Sequence, residues 1–165
     1  MSAADDRSKS VSPAVTARTR LKAVAAQIPL PEETLAGVVT AMLAQRVQPR
    51  RLPAWARPPG VALVGGGLVV LIAAWRERKR GPGTLEEPEA LVTTGLHGIT
   101  RNPIYLGFTA VHLGLAGTTR NGWMLATCPV SAALVHSGVL REERWLRERF
   151  GDGYDAYRAR VPRYL

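Results

Sequence analysis

The stretch Pro58–Trp75, PPGVALVGGGLVVLIAAW, runs for 18 residues without a charged side chain. At 1.5 Å per residue a helix of that length comes close to the ~30 Å hydrocarbon thickness of a bilayer. Two more stretches of the same kind follow, Asn102–Thr119 with 18 residues and Asn121–Leu140 with 20. One such run could be the buried helix of a soluble core. Three in a chain of 165 residues change that reading, because a soluble domain this small has too little interior to enclose three helices that are apolar all round. The expected fold is therefore all-α: a multispanning transmembrane helical bundle of three to four spans, with a cytoplasmic C-terminal amphipathic helix and tail. The fourth span would come from Thr34–Gln45, 12 uncharged residues preceded by the uncharged Ala23–Pro31, which together fit a tilted or half-buried helix over about 28–47.

Outward from these runs the chain is polar and basic. Apolar residues make up 46% of the sequence, enough to exclude disorder throughout, and the formal charge is +9. A mean hydropathy of −0.03 averages the long apolar runs with a polar front and tail. Residues 1–22 carry Arg7, Lys9, Arg18, Arg20 and Lys22 with no compact apolar stretch and cleavage site behind them, so they read as a flexible polar arm and not as a secretory signal. Residues 23–165 form the membrane domain. With four spans, 17 basic residues lie on the side of the termini and of the 76–101 connection, against five on the other side. That excess places both termini in the cytoplasm, although four arginines between the first two spans would also fit a first segment that does not cross. The charge would also hold the tail against anionic headgroups of membrane lipids. No nucleic-acid-binding motif or base-stacking pattern accompanies the arginines, so nucleic acid is not an expected partner. Cys128 is the single cysteine, and His97, His112 and His136 lack ligand spacing, so neither a disulfide framework nor a metal site is expected.

Four features bear on function or on how its parts are placed. Gly81-Pro82-Gly83 ends the second helix. Pro103 suits the first turn of the third, with Asn102 as its cap, so free backbone N–H groups meet the membrane surface there and could bind an anionic or polar group. The same pair also serves as a plain helix start. Thr119-Arg120-Asn121-Gly122 is a tight hairpin that makes the third and fourth spans antiparallel neighbours, while Gly107, Gly114 and Gly117 let the third helix approach others closely. In the tail, Val139, Leu146 and Phe150 share a helical face, with Glu143 about 40° to one side and Glu142 about 60° to the other. A carboxylate turned inward near a membrane boundary is a functional candidate. An i,i+4 ion pair from Glu143 to Arg147 is the alternative.

Ala90-Leu91-Val92-Thr93-Thr94-Gly95, Arg101-Asn102-Pro103-Ile104-Tyr105-Leu106-Gly107, and Glu142-Glu143 with Leu146, Phe150-Gly151, Tyr154, Tyr157, Val161 and Pro162 occur in this order over about the last half of the chain. In combination they resemble the integral-membrane methyltransferases related to isoprenylcysteine carboxyl methyltransferase, with phospholipid methyltransferases as more distant relatives. The resemblance implies a multispanning enzyme that uses S-adenosylmethionine. Its C-terminal half, about 90–165, would enclose the cofactor, and a lipophilic small-molecule, lipid or prenylated substrate would enter from the bilayer, here a bacterial inner membrane. Cofactor contacts would fall on Leu91, Val92, Asn102, Pro103, Ile104 and Tyr105, with Gly107 giving room, and the family's paired glutamates would be Glu142, at the acceptor end, and Glu143.

Three positions depart from the family pattern. Asn102 stands where many relatives have histidine, His97 where an aromatic hydroxyl is common, and Gly138 where relatives place an arginine suited to gripping an acceptor carboxylate. An ionised carboxylate acceptor would need no general base, whereas an amine must reach the methyl group unprotonated and a glutamate could assist. A non-enzymatic scaffold that keeps the family's helices without the cofactor is the alternative reading.

Overall fold

The computed structural model describes residues 31–82 and 89–165. Among these residues there are five α-helices and no strand: α1 (Glu32–Val47), α2 (Arg57–Arg80), α3 (Pro103–Thr119), α4 (Trp123–Phe150) and α5 (Asp152–Arg160), with 3-10 turns at Ala54–Ala56 and Gly95–Gly98. The expected polar arm, 1–22, lies outside the described residues.

Helix boundaries follow local chemistry. Pro58 and Pro59 sit in the first turn of α2, where a missing N–H costs nothing, and Arg78, Lys79 and Arg80 face the negative end of its dipole. α3 opens on Pro103 and closes at Arg120, which adopts φ 57° and donates its N–H to the Ala116 and Gly117 carbonyls. The amphipathic segment expected after the last apolar run is not a separate helix. α4 continues unbroken from Trp123 to Phe150, since no glycine or proline follows Gly138 until Gly151. Gly151 makes the break with φ 51° and ψ −127°, a conformation that a side chain would strain.

Packing pairs α2 with α3 and α1 with α4. The Thr119–Gly122 turn does connect α3 to α4, but each finds its broadest contact elsewhere, for a steric reason. Gly60 and Gly67 on α2 meet Gly114, Gly117 and Gly107 on α3 so closely that a Cβ at Gly60 would lie 2.5 Å from the Thr118 nitrogen, and one at Gly67 would lie 2.8 Å from the Gly107 oxygen. On the other pair, Ala41 of α1 packs with Met124 and Ala116, flanked by Val38, Leu52, Leu115 and Trp123. Polar ties close the far end: Asn121 Nδ2 donates to the Ala41 carbonyl at 2.9 Å, and Trp123 Nε1 donates to that of Gln48 at 2.7 Å.

Among the described residues two helices, within Ala54–Arg80 and Trp123–Phe150, are long and apolar enough to cross a membrane. Only 17% and 22% of their apolar windows are buried, the reverse of a core helix in a soluble protein. Val61, Leu68, Val69 and Ile72 of α2 and Leu125, Val130 and Leu134 of α4 face outward, as do Leu35, Val39 and Met42 of α1. α1 has 16 residues and α3 has 17, each short of a full 18-residue span.

Candidate functional site

At one end of the bundle α2 finishes, α3 begins, α4 passes by and the tail returns. The first intrahelical bond of α3 runs from the Leu106 N–H to the Asn102 carbonyl at 3.2 Å, so the N–H groups of Ile104 and Tyr105 precede the hydrogen-bond ladder. Both residues line a small hollow of about 20 Å³ with Arg78, His97, Arg101, Asn102, Pro103 and Glu142. The Tyr105 hydroxyl donates to Glu142 Oε2 at 3.1 Å, and Arg78 Nη1 lies 3.6 Å from Glu142 Oε1. A carboxylate from α4 is thereby held over the first turn of α3, with a cation from the end of α2 beside it. Glu142 of α4 and the Asn-Pro start of α3 thus lie together at this end of the bundle.

The two glutamates part company here. Glu143 turns away from the hollow and accepts from Arg101 Nη2 and Arg163 Nη2, each at 2.8 Å, with 10% of its side chain exposed. Arg147, the i,i+4 partner of the alternative reading, lies 3.1 Å from Asp155 instead. Glu143 ties the tail to the entrance of α3, and a strap of main-chain bonds extends that tie. The Arg101 N–H donates to the Pro162 carbonyl at 2.9 Å, Arg101 Nη1 donates to that of Val161 at 2.7 Å, and Thr100 Oγ1 donates to that of Arg163 at 3.0 Å. Asn102 does not cap α3 with its side chain; its Nδ2 donates to the Arg163 carbonyl at 3.1 Å and so ties the side chain to the tail. Three expected cofactor contacts also lie outside the lining of the hollow. Leu91 packs on the cluster of Tyr154, Tyr157 and Val161. Val92 approaches Gly81, and the place of a Gly107 Cβ is taken by Leu71, so the small size of Gly107 serves the α2–α3 contact.

Two residues outside the sequence reading complete the site. Glu77, in the last turn of α2, accepts the Leu96 N–H on Oε1 at 3.0 Å and is 2.8 Å from His97 Nδ1 through Oε2. Gly95 makes this possible: at φ 62°, it leaves the space that a Cβ would take from the Glu77 carboxylate. Burial holds the His97 imidazole below the usual histidine value against the opposing pull of Glu77, so the ring is neutral at pH 7. The Tyr157 hydroxyl, pushed up to about 12 by burial, donates to the His97 carbonyl at 2.6 Å. The available signal for Glu77 was its place as the lone acid within Arg76–Arg80; nothing in the sequence marks Arg163. No group of three or more potential metal ligands occurs among the described residues.

A family model described as phospholipid methyltransferase matches residues 59–153, more than half of the chain. Neither the curated proteins nor the solved structures gave a match.

Proposed function

The chain belongs to the phospholipid methyltransferase family, and from that premise we propose that it moves a methyl group from S-adenosylmethionine to a lipophilic acceptor at the membrane surface. The observation that carries this reading is the Glu142 carboxylate, bonded to Tyr105 at 3.1 Å over the free N–H groups that open α3. The donor set suits the cofactor's charged end. Glu142 offers a counter-charge to a sulfonium or ammonium, the N–H groups of Ile104 and Tyr105 suit a carboxylate, and Pro103 and Ile104 are apolar walls. When bound, the cofactor supplies a methyl group already activated on sulfonium sulfur, so the protein's part is chiefly alignment and exclusion of water. Asn102, Pro103, Ile104, Tyr105 and Glu142 would do the holding. Glu143 acts at one remove, by fixing Arg101 and the tail.

The finer topology belongs to the same proposal. α1 and α3 would join the two long helices in the bilayer, giving up to four spans, with both termini on the cytoplasmic side of a bacterial inner membrane. A lipid, a prenylated thiol acid or another lipophilic small molecule would then approach through the outward apolar faces.

One observation favours the second reading, a scaffold without cofactor binding. The hollow, about 20 Å³, has room for about one water molecule and is far smaller than the ~300–1,000 Å³ of ordinary small-molecule sites, and two of its lining residues, Tyr105 and Glu142, are bonded to each other. Binding of S-adenosylhomocysteine to detergent-purified protein separates the two. Saturable binding with a rise in thermal midpoint is expected, worth about 2.7 kcal/mol at a hundred times the dissociation constant. No shift up to millimolar ligand would leave the scaffold.

A further inference from the structure

The imidazole of His97 is held in one tautomer. Its Nδ1 is 2.8 Å from Glu77 Oε2, and the same carboxylate is anchored by the Leu96 N–H through both oxygens, at 3.0 and 3.1 Å. A carboxylate accepts and does not donate, so Nδ1 carries the hydrogen. In the neutral ring Nε2 is then a lone-pair acceptor. The backbone is built around this pair: Gly95 curls past the carboxylate in a conformation closed to most side chains, and the Tyr157 hydroxyl grips the His97 carbonyl at 2.6 Å. His97 also lines the hollow that holds Tyr105 and Glu142. A packing role would require neither the carboxylate nor the shared cavity.

We infer that Glu77 and His97 form a proton-accepting dyad, in which Nε2 of His97 takes the proton of an acceptor whose nucleophilic atom arrives bearing one. This rests on the methyl-transfer reading above and narrows it to hydroxyl, thiol or amine acceptors over carboxylates. As the acceptor atom bonds to the methyl carbon, its proton passes to Nε2. The positive charge lost from sulfur reappears on the imidazolium, where the Glu77 carboxylate balances it, and the proton leaves to water on turnover. Around the ring, Glu77 from α2 and Glu142 from α4 favour the imidazolium, while Arg78 disfavours it; Arg101 and Tyr105 share the same hollow. Burial keeps the resting imidazole neutral, the state a base needs before reaction.

Two measurements test the dyad. In ¹⁵N-histidine spectra of the full-length protein in detergent, His97 should be the Nδ1-protonated neutral tautomer at pH 7, and Glu77→Gln should abolish that preference; an Nε2-protonated ring overturns the inference without touching the methyltransferase reading. With labelled S-adenosylmethionine and mixed micelles of phosphatidylethanolamine, a long-chain phenol or a long-chain fatty carboxylate, His97→Gln should lower transfer to the first two at least 100-fold. It should also erase the acid limb of the pH–rate profile and leave S-adenosylhomocysteine binding intact. Transfer by the wild type to the carboxylate alone, or an unchanged profile in the variant, overturns the dyad. Transfer to none of the probes with no S-adenosylhomocysteine bound overturns the methyltransferase reading itself.

Discussion

Glu143 accepts hydrogen bonds from Arg101 and Arg163 across the bundle end, where only 7% of the Arg101 side chain and 10% of its own are exposed. Glu142, one residue earlier, keeps 30% of its side chain exposed and faces the hollow. The two should respond oppositely to the same substitution. Glu143→Gln leaves a buried guanidinium without its counter-charge, a change that costs about 3–5 kcal/mol when one partner of a buried pair is lost. A large drop in thermal midpoint is the expected result in differential scanning fluorimetry. Glu142→Gln, at a partly exposed pair, should change stability by no more than about 1 kcal/mol, while lowering methyl transfer. Equal loss of stability in both variants would contradict the division. His97 gives a pH dependence. Its value is lowered on folding from an ordinary 6.5, chiefly by burial, so below that pH the unfolded chain binds more protons. Its contribution to stability is full above about 6.5 and falls as pH drops toward the folded value. Thermal midpoints measured from pH 7.5 down to 5 should decline more steeply in the wild type than in His97→Gln.

At the scale of elements, the α2–α3 pair is held by backbone proximity. Gly114 faces Val64, and a Cβ placed there would sit 2.6 Å from the Val64 nitrogen, which belongs to the main chain and cannot swing aside. Gly65, on the same helix as Val64, has nothing within 4 Å of its missing Cβ. Gly114→Ala should therefore push the helices apart and destabilise the fold by about 1–3 kcal/mol, the usual range for overpacking. Gly65→Ala should be neutral or slightly stabilising through helix propensity. Unfolding titrations in mixed detergent compare the two directly, and equal behaviour would argue against close helix contact. Since Gly67 and Gly107 belong to the same seam and the hollow lies just beyond it, separation of α2 from α3 should also move Arg78 and Glu77 away from Glu142 and His97.

Across the whole molecule, one end gathers the chemistry and the other closes with main-chain ties. The end of α2, the start of α3, the charged part of α4 and the tail meet at the hollow, while Arg50, Arg51 and Arg120 lie at the opposite end, where the Gly122 N–H meets the Arg50 carbonyl at 2.8 Å and the Leu52 N–H that of Arg120 at 3.0 Å. In the proposed orientation the hollow faces the cytoplasm, the side from which a water-soluble cofactor must come. Protease added to inside-out vesicles should then remove an epitope tag from the C terminus, and protease outside intact spheroplasts should not. The opposite pattern would turn the site outward.

The apolar runs alone determined that this chain is helical and suited to a membrane, because a backbone in hydrocarbon must satisfy its hydrogen bonds within its own segment. Pro103 as a helix start and the packing use of Gly114 and Gly117 were likewise legible, since spacing and turn chemistry are local quantities. Which glutamate faces the hollow was not. Glu142 and Glu143 flank the same helical face, and their division depends on Arg101 and Arg163, which stand 42 residues before and 20 after Glu143. Glu77 and His97 are 20 residues apart and meet only because Gly95 turns the chain back on the end of α2. Periodicity carries no record of partners that distant; only the packed bundle, by deciding which charges share a low-dielectric space, assigned them.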